Sequence, residues 1–94
     1  MNPEHKLKDV LQQMVNKRHW NEKLTEAEIR KLWSERMGTT INQYTKEMRL
    51  RDGKLFLSID SAPLKQELTY GREKIREMLN TELGREAVRD VIVR

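Results

Sequence analysis

Residues 48–57 read Met48-Arg49-Leu50-Arg51-Asp52-Gly53-Lys54-Leu55-Phe56-Leu57, two alternating runs around an Asp-Gly pair. Asp-Gly suits the two central positions of a type I′ turn, where both residues take φ > 0. A turn there pairs Arg51 with Lys54, Leu50 with Leu55, Arg49 with Phe56 and Met48 with Leu57. Tyr44, Met48, Leu50, Leu55, Leu57 and Ile59 then share one face. The other face takes Thr45, Glu47, Arg49, Arg51, Lys54, Phe56, Ser58 and Asp60, with Phe56 its single large apolar residue. A slip by one residue would scramble both faces, so turn chemistry and side-chain alternation specify the same hairpin.

Helical periodicity flanks this hairpin on both sides. Asn2 as N-cap and Pro3 at N1 open a first helix, and Leu7, Val10, Leu11, Met14 and Val15 form its apolar stripe. Its end is expected near His19–Trp20, before a short polar connection. Thr25 and Glu28 then have the spacing of a capping box, with Leu24 and Ile29 placed as a hydrophobic staple. Ile29, Leu32, Trp33 and Met37 continue a second buried stripe, and Gly38 supplies a left-handed stop. Beyond the hairpin, Ser61 caps a long helix striped by Leu64, Leu68, Gly71, Ile75, Met78, Leu79 and Leu83, and Gly84 ends it. Gly71 inside that stripe marks close packing or a bend, and Asn80 reads as an ordinary helix residue. Val88, Val91, Ile92 and Val93 form a third strand ending at Arg94. The order is α-α-β-β-α-β: an α+β fold, a three-stranded sheet with helices packed on one face. The place of the third strand, beside the first or the second, stays open.

The 94 residues suffice for one domain, with residues 1–23 as N-terminal helix and connection and residues 24–94 as core. Lys and Arg number 19 against 15 Asp and Glu, a net charge of +4. Up to Tyr44 there are 8 basic and 6 acidic residues, and after it 11 and 9, so no basic tail exists and any cationic surface must come from how the fold sorts its charges. No apolar run approaches the ~18 residues of a membrane span, and no signal peptide follows Met1. The chain is expected to be cytoplasmic. The absence of cysteine excludes disulfides, thiolate metal sites and a Cys nucleophile.

Catalytic chemistry is hard to assemble from these residues. His5 and His19 lie ~20 Å apart along a helix at 1.5 Å per residue, too far to share a metal. Ser34, Ser58 and Ser61 lack a nucleophile-elbow context, and no phosphate-binding glycine loop occurs. A nonenzymatic protein without metal, cofactor or small-molecule substrate is expected. The outer hairpin face offers more: Arg49, Arg51 and Lys54 around Phe56 can stack a base and neutralise phosphates. The competing reading is a set of solvated charges beside an aromatic covered by the chain itself. Lys6, Lys8, Lys17 and Arg18 give the first helix a cationic strip that suits a solvated face. Trp20, beside Arg18 and His19, either packs down or stays exposed as a protein anchor.

From Leu32 to Arg94 the sequence resembles the DciA family of bacterial proteins. The matching elements are Leu32-Trp33, Gly38, Tyr44-Thr45, Asp52-Gly53-Lys54-Leu55, Ser61, Glu67-Leu68, Leu79-Asn80, Leu83-Gly84, Val88 and Ile92-Val93-Arg94. Where the family often has His-Thr-x-Pro, this chain has Tyr44-Thr45-Lys46-Glu47, and Leu64 stands where a Trp is common. The resemblance implies a KH-like fold and a role in chromosome replication, assisting or loading the DnaB-type hexameric helicase and contacting single-stranded DNA. The outer-face residues Arg49, Arg51, Lys54 and Phe56 are then the expected nucleic-acid site, and Trp20 and Arg18, as exposed anchors, are the candidate partner-binding residues together with Leu64, which the resemblance adds as the position of the family Trp. The alternatives are a KH-like RNA-binding protein without a helicase partner, or a purely protein-binding module.

Overall fold

The structure, a computed structural model, describes the backbone from Pro3 and the side chains from Lys17 to Arg94. The expected Asn2 cap, the Leu7–Val15 stripe, His5, Lys6 and Lys8 lie outside the described residues or side chains. The elements are α1 (Pro3–Arg36), α2 (Gly38–Tyr44), β1 (Thr45–Arg51), β2 (Lys54–Ile59), α3 (Ala62–Tyr70), α4 (Arg72–Leu83) and β3 (Asp90–Val93). The fold is α+β around a three-stranded sheet ordered β1-β2-β3.

The hairpin forms in the register that its turn dictates. Arg51 faces Lys54, Leu50 faces Leu55, Arg49 faces Phe56 and Met48 faces Leu57. Asp52 at φ 50° and Gly53 at φ 78° make the turn. A bulge between Thr45 and Glu47 ends the regular pairing. Tyr44 is therefore not an inner-face strand residue: it closes α2 and is exposed. The third strand runs parallel to β2, with Leu55 opposite Val91, Phe56 opposite Ile92 and Leu57 opposite Val93.

The expected break after Trp20 does not occur, and residues 23 and 24 fall inside one continuous helix of 34 residues. Thr25 is not a cap. Its hydroxyl donates to the Asn21 carbonyl at 3.0 Å, bonding back into the preceding turn. Opening the helix there would strand up to about four N–H and four C=O groups, whereas a capping box satisfies about two N–H groups. With no Gly or Pro between Asn16 and Met37 to force a break, the unbroken ladder wins. The Leu24–Ile29 staple is absent too: Ile29 is fully buried while Leu24 is exposed.

Two further departures are an extra short helix held by a side chain and a bend within the long helix. The α2 turn is held by the Asn42 amide, which donates to the carbonyls of Gly38 at 2.7 Å and Ser34 at 3.2 Å. Gly38, at φ 84°, thus reverses the chain into another helix. The long helix divides at Gly71, at φ −92° and ψ 10°, giving a bend; a Cβ there would meet only ordinary contacts, so close packing is not the cause. Ser61 caps α3 as expected, its Oγ accepting from the Leu64 N–H at 3.3 Å, and Gly84 closes α4 at φ 71°.

Asn80 is more than an ordinary helix residue. Its amide donates to the Val88 carbonyl and its carbonyl accepts the Val88 N–H, both at 2.8 Å. Val88 is fully buried yet precedes β3, so no strand serves its backbone and Asn80 does. The core gathers Ile29 and Trp33 from α1, Met48, Leu50, Leu55, Leu57 and Ile59 from the hairpin, Leu68, Ile75 and Leu79 from α3 and α4, and Val88 and Val91. Each fully buried large side chain contributes about 1.5–3 kcal/mol over exposure. All the core residues of the sheet project to one face, and among the described residues no helix covers the other.

Candidate nucleic-acid interface

The register assigns the outer face row by row. Arg51, Lys54 and Asp90 form the row nearest the turn, Arg49, Phe56 and Ile92 the middle row, and Glu47, Ser58 and Arg94 the last. Arg94 belongs to it because its N–H bonds the Leu57 carbonyl and its carbonyl accepts the Ile59 N–H, both at 2.8 Å, extending the parallel pairing. Phe56 is therefore not the single large apolar residue of this face. Ile92 lies beside it, and both are half-buried.

Arg49, Arg51 and Lys54 surround Phe56 as the hairpin pattern predicts, and all three are exposed. Arg49 is engaged: its Nε lies 2.7 Å from the Glu47 carboxylate. Arg51 and Lys54 have no ion-pair partner among the described residues. The Arg94 guanidinium sits over the Phe56 ring, 4.8 Å from its centroid. Its sequence signal was the two-residue step from Ile92, usable only once β3 was known to lie parallel to β2. Four cations and two carboxylates, Glu47 and Asp90, give the face an excess of positive charge that arginine keeps at any working pH.

An exposed cation–π contact of this kind contributes about 0.5–1 kcal/mol. A base stacked on an aromatic side chain contributes about 1–3 kcal/mol. A base can therefore displace the Arg94 head group and leave it free for a neighbouring phosphate.

The candidate partner residues divide between two elements. Trp20 is 62% exposed on α1, one turn from the exposed Leu24, and Arg18 is exposed beside it. Leu64 is on α3, half-buried and packed against the core. His19 is exposed on α1, and among the described residues no three His, Cys, Asp or Glu side chains gather as metal ligands. No described helix is long and apolar enough to cross a membrane.

These features define a class: a small α+β domain whose helices cover one side of a three-stranded sheet and whose other side is basic with an aromatic centre. Its family follows from comparison. The family model described as "Dna[CI] antecedent, DciA" matches residues 6–93 of the 94-residue chain, and the chain belongs to the DciA family. No curated protein and no solved structure matches it.

Proposed function

We propose that this protein is a nonenzymatic adaptor of DNA replication, acting in the cytoplasm, that binds the DnaB-type replicative helicase and single-stranded DNA. Membership of the DciA family supports the replication role and the helicase partner. The outer sheet face supports the DNA contact. Phe56 and Ile92 offer an apolar floor at its middle, with Arg49, Arg51, Lys54 and Arg94 placed for phosphates on either side. A KH-like domain would have to bind through this sheet face, because the G-x-x-G loop with which KH domains clamp nucleic acid does not occur in the chain.

Binding of a fluorescent oligothymidylate tests the DNA site. Phe56→Ala is expected to weaken it by about 1–3 kcal/mol, the worth of one stacked base. Unchanged affinity in both Phe56→Ala and Arg49→Ala would remove the site assignment. A matched oligouridylate arm separates DNA from RNA, and tighter binding of structured RNA would favour the RNA-binding reading. Light-scattering chromatography with the replicative helicase of the same organism tests the adaptor role, where a heavier species of defined stoichiometry is expected. Trp20 and Arg18 are the residues proposed for that contact because they stand exposed together on α1, and Trp20→Ala should reduce the complex. Leu64, at the position where the family often has Trp, joins them through its partly open side.

A further inference from the structure

The β1 strand is an edge of the sheet, and its hydrogen-bonding groups divide by parity. The closing pair Arg51–Lys54 of a two-residue hairpin exchanges both its bonds, as do the pairs of Arg49 and Glu47 with β2. Met48 and Leu50 therefore turn their N–H and C=O groups outward. The Met48 carbonyl accepts from the Arg30 guanidinium at 3.0 Å. The other three groups, both amides and the Leu50 carbonyl, have no partner among the described residues. The Leu50 groups open onto a cleft of about 730 Å³ between α1 and the strand, with Glu22, Lys23 and Arg30 on its helix side and Arg49, Leu50 and Arg51 on its strand side; Met48 lines an adjoining cleft of about 350 Å³, and Arg30 borders both.

We propose that this edge is a second docking site, which takes an extended peptide strand of a partner protein with acidic and small apolar residues in alternation. The main-chain groups supply the binding, as in strand addition to other sheet edges. The alternation follows from the two faces. Side chains of the added strand on the outer face lie beside Arg49 and Arg51, and opposite charges on neighbouring strands attract. Those on the inner face meet Leu50 and the flank of α1.

The carboxylates of that flank are engaged: Glu22 accepts the Asp52 N–H at 2.7 Å, and Glu26 pairs with Arg30 at 2.6 Å. Their presence disfavours a nucleic-acid strand in the cleft. A second copy is disfavoured where β1 pairs with β1 about Arg49 or Leu50, since arginines then face arginines. Arg30, with a side chain 57% exposed, swings aside to release the Met48 carbonyl.

The test is amide hydrogen exchange on the full isotope-labelled chain with an acetylated eight-residue peptide of alternating Glu and Val. Exchange at Met48 and Leu50 should slow by about tenfold or more on saturation, with Arg49 and Arg51 unchanged. A peptide with Lys for Glu should bind at least about tenfold more weakly, and Arg51→Glu should reverse that preference. Of two analogues, one N-methylated on every Val and one on every Glu, one should lose binding and the other keep it, because only alternate amides face β1. The proposal is overturned if millimolar peptide leaves both amides unprotected, or if both N-methylated analogues bind. Protection without peptide in a chain that scatters as a dimer assigns the edge to a second copy. Protection by oligothymidylate alone assigns it to nucleic acid. Loss of DNA binding in Phe56→Ala leaves these outcomes unaffected, so the two sites fail separately.

Discussion

Asn80 does for Val88 what a neighbouring strand would otherwise do. Asn80→Ala leaves a buried N–H and a buried C=O without partners, each costing about 1–3 kcal/mol. The expected loss is about 2–6 kcal/mol in urea unfolding, and a loss under about 1 kcal/mol would show that water replaces the amide. Residue type and helix periodicity do not reveal this role, because the partner lies in a loop eight residues on. Gly53 is the opposite case, where the Asp-Gly pair names the turn directly. A Cβ there would also meet Arg89 Nε at 2.5 Å, although the long Arg89 side chain can move. Arg89 itself bonds the Asp52 carbonyl and, through its N–H, the Gly53 carbonyl, fastening the approach to β3 onto the turn. Gly53→Ala is expected to cost about 1–2 kcal/mol, chiefly for a non-glycine residue at φ > 0.

At the scale of the element, α1 shows how a good local signal loses. Thr25-Glu26-Ala27-Glu28 has the composition of a helix start, yet continuing the backbone ladder satisfies more groups than starting afresh. The signal remains usable. Asn21→Pro removes an N–H and clashes with the preceding turn, a local penalty of about 3 kcal/mol. The helix is then expected to restart at Thr25 while Ile29 and Trp33 keep their places in the core. Exchange protection at Leu79 and Val88 should change by less than about 1 kcal/mol, while the amides of residues 22–24 lose theirs. Equal loss across the chain would mean that the N-terminal half of α1 supports the core. On its C-terminal half the helix is tied to α4 by Arg36–Glu82 at 3.0 Å and to the segment just after α4 by Arg85–Glu28 at 3.2 Å. These exposed pairs align the segments and contribute little stability, about 0–1 kcal/mol each.

For the whole molecule, the proposed DNA contact rests on how a modest charge excess is distributed. The sequence has nearly balanced halves, and the fold puts Arg49, Arg51, Lys54 and Arg94 on one open surface. If each meets a phosphate, single-strand affinity should fall with salt, and each cation removed should lessen that log–log slope by about 0.7. Lys54→Ala is expected to lower the slope by that amount, whereas Phe56→Ala lowers affinity and leaves the slope alone. Oligonucleotide titrations over a series of salt concentrations check this. A slope that Lys54→Ala does not alter would place the phosphates elsewhere.

Sequence alone sufficed for the hairpin, for its register from Glu47 to Ser58 and for the two faces over that span, because turn geometry and a period of two act over adjacent residues; the bulge between Thr45 and Glu47 shifts Thr45 opposite Ile59 and leaves Tyr44 outside the strand. Sequence also determined the Ser61 cap, the Gly84 stop and most of the core stripe of α3 and α4. Three of the cations around Phe56 were legible for the same reason. The fourth, Arg94, was not, nor were Ile92 beside the ring, the Asn80–Val88 clasp or the cleft along β1. Each depends on residues far apart in the chain meeting: β3 choosing β2, and α1 running unbroken past the free edge of β1. Local periodicity carries no information about which strand is the neighbour or which edge stays unpaired, and only burial of the common core decided both.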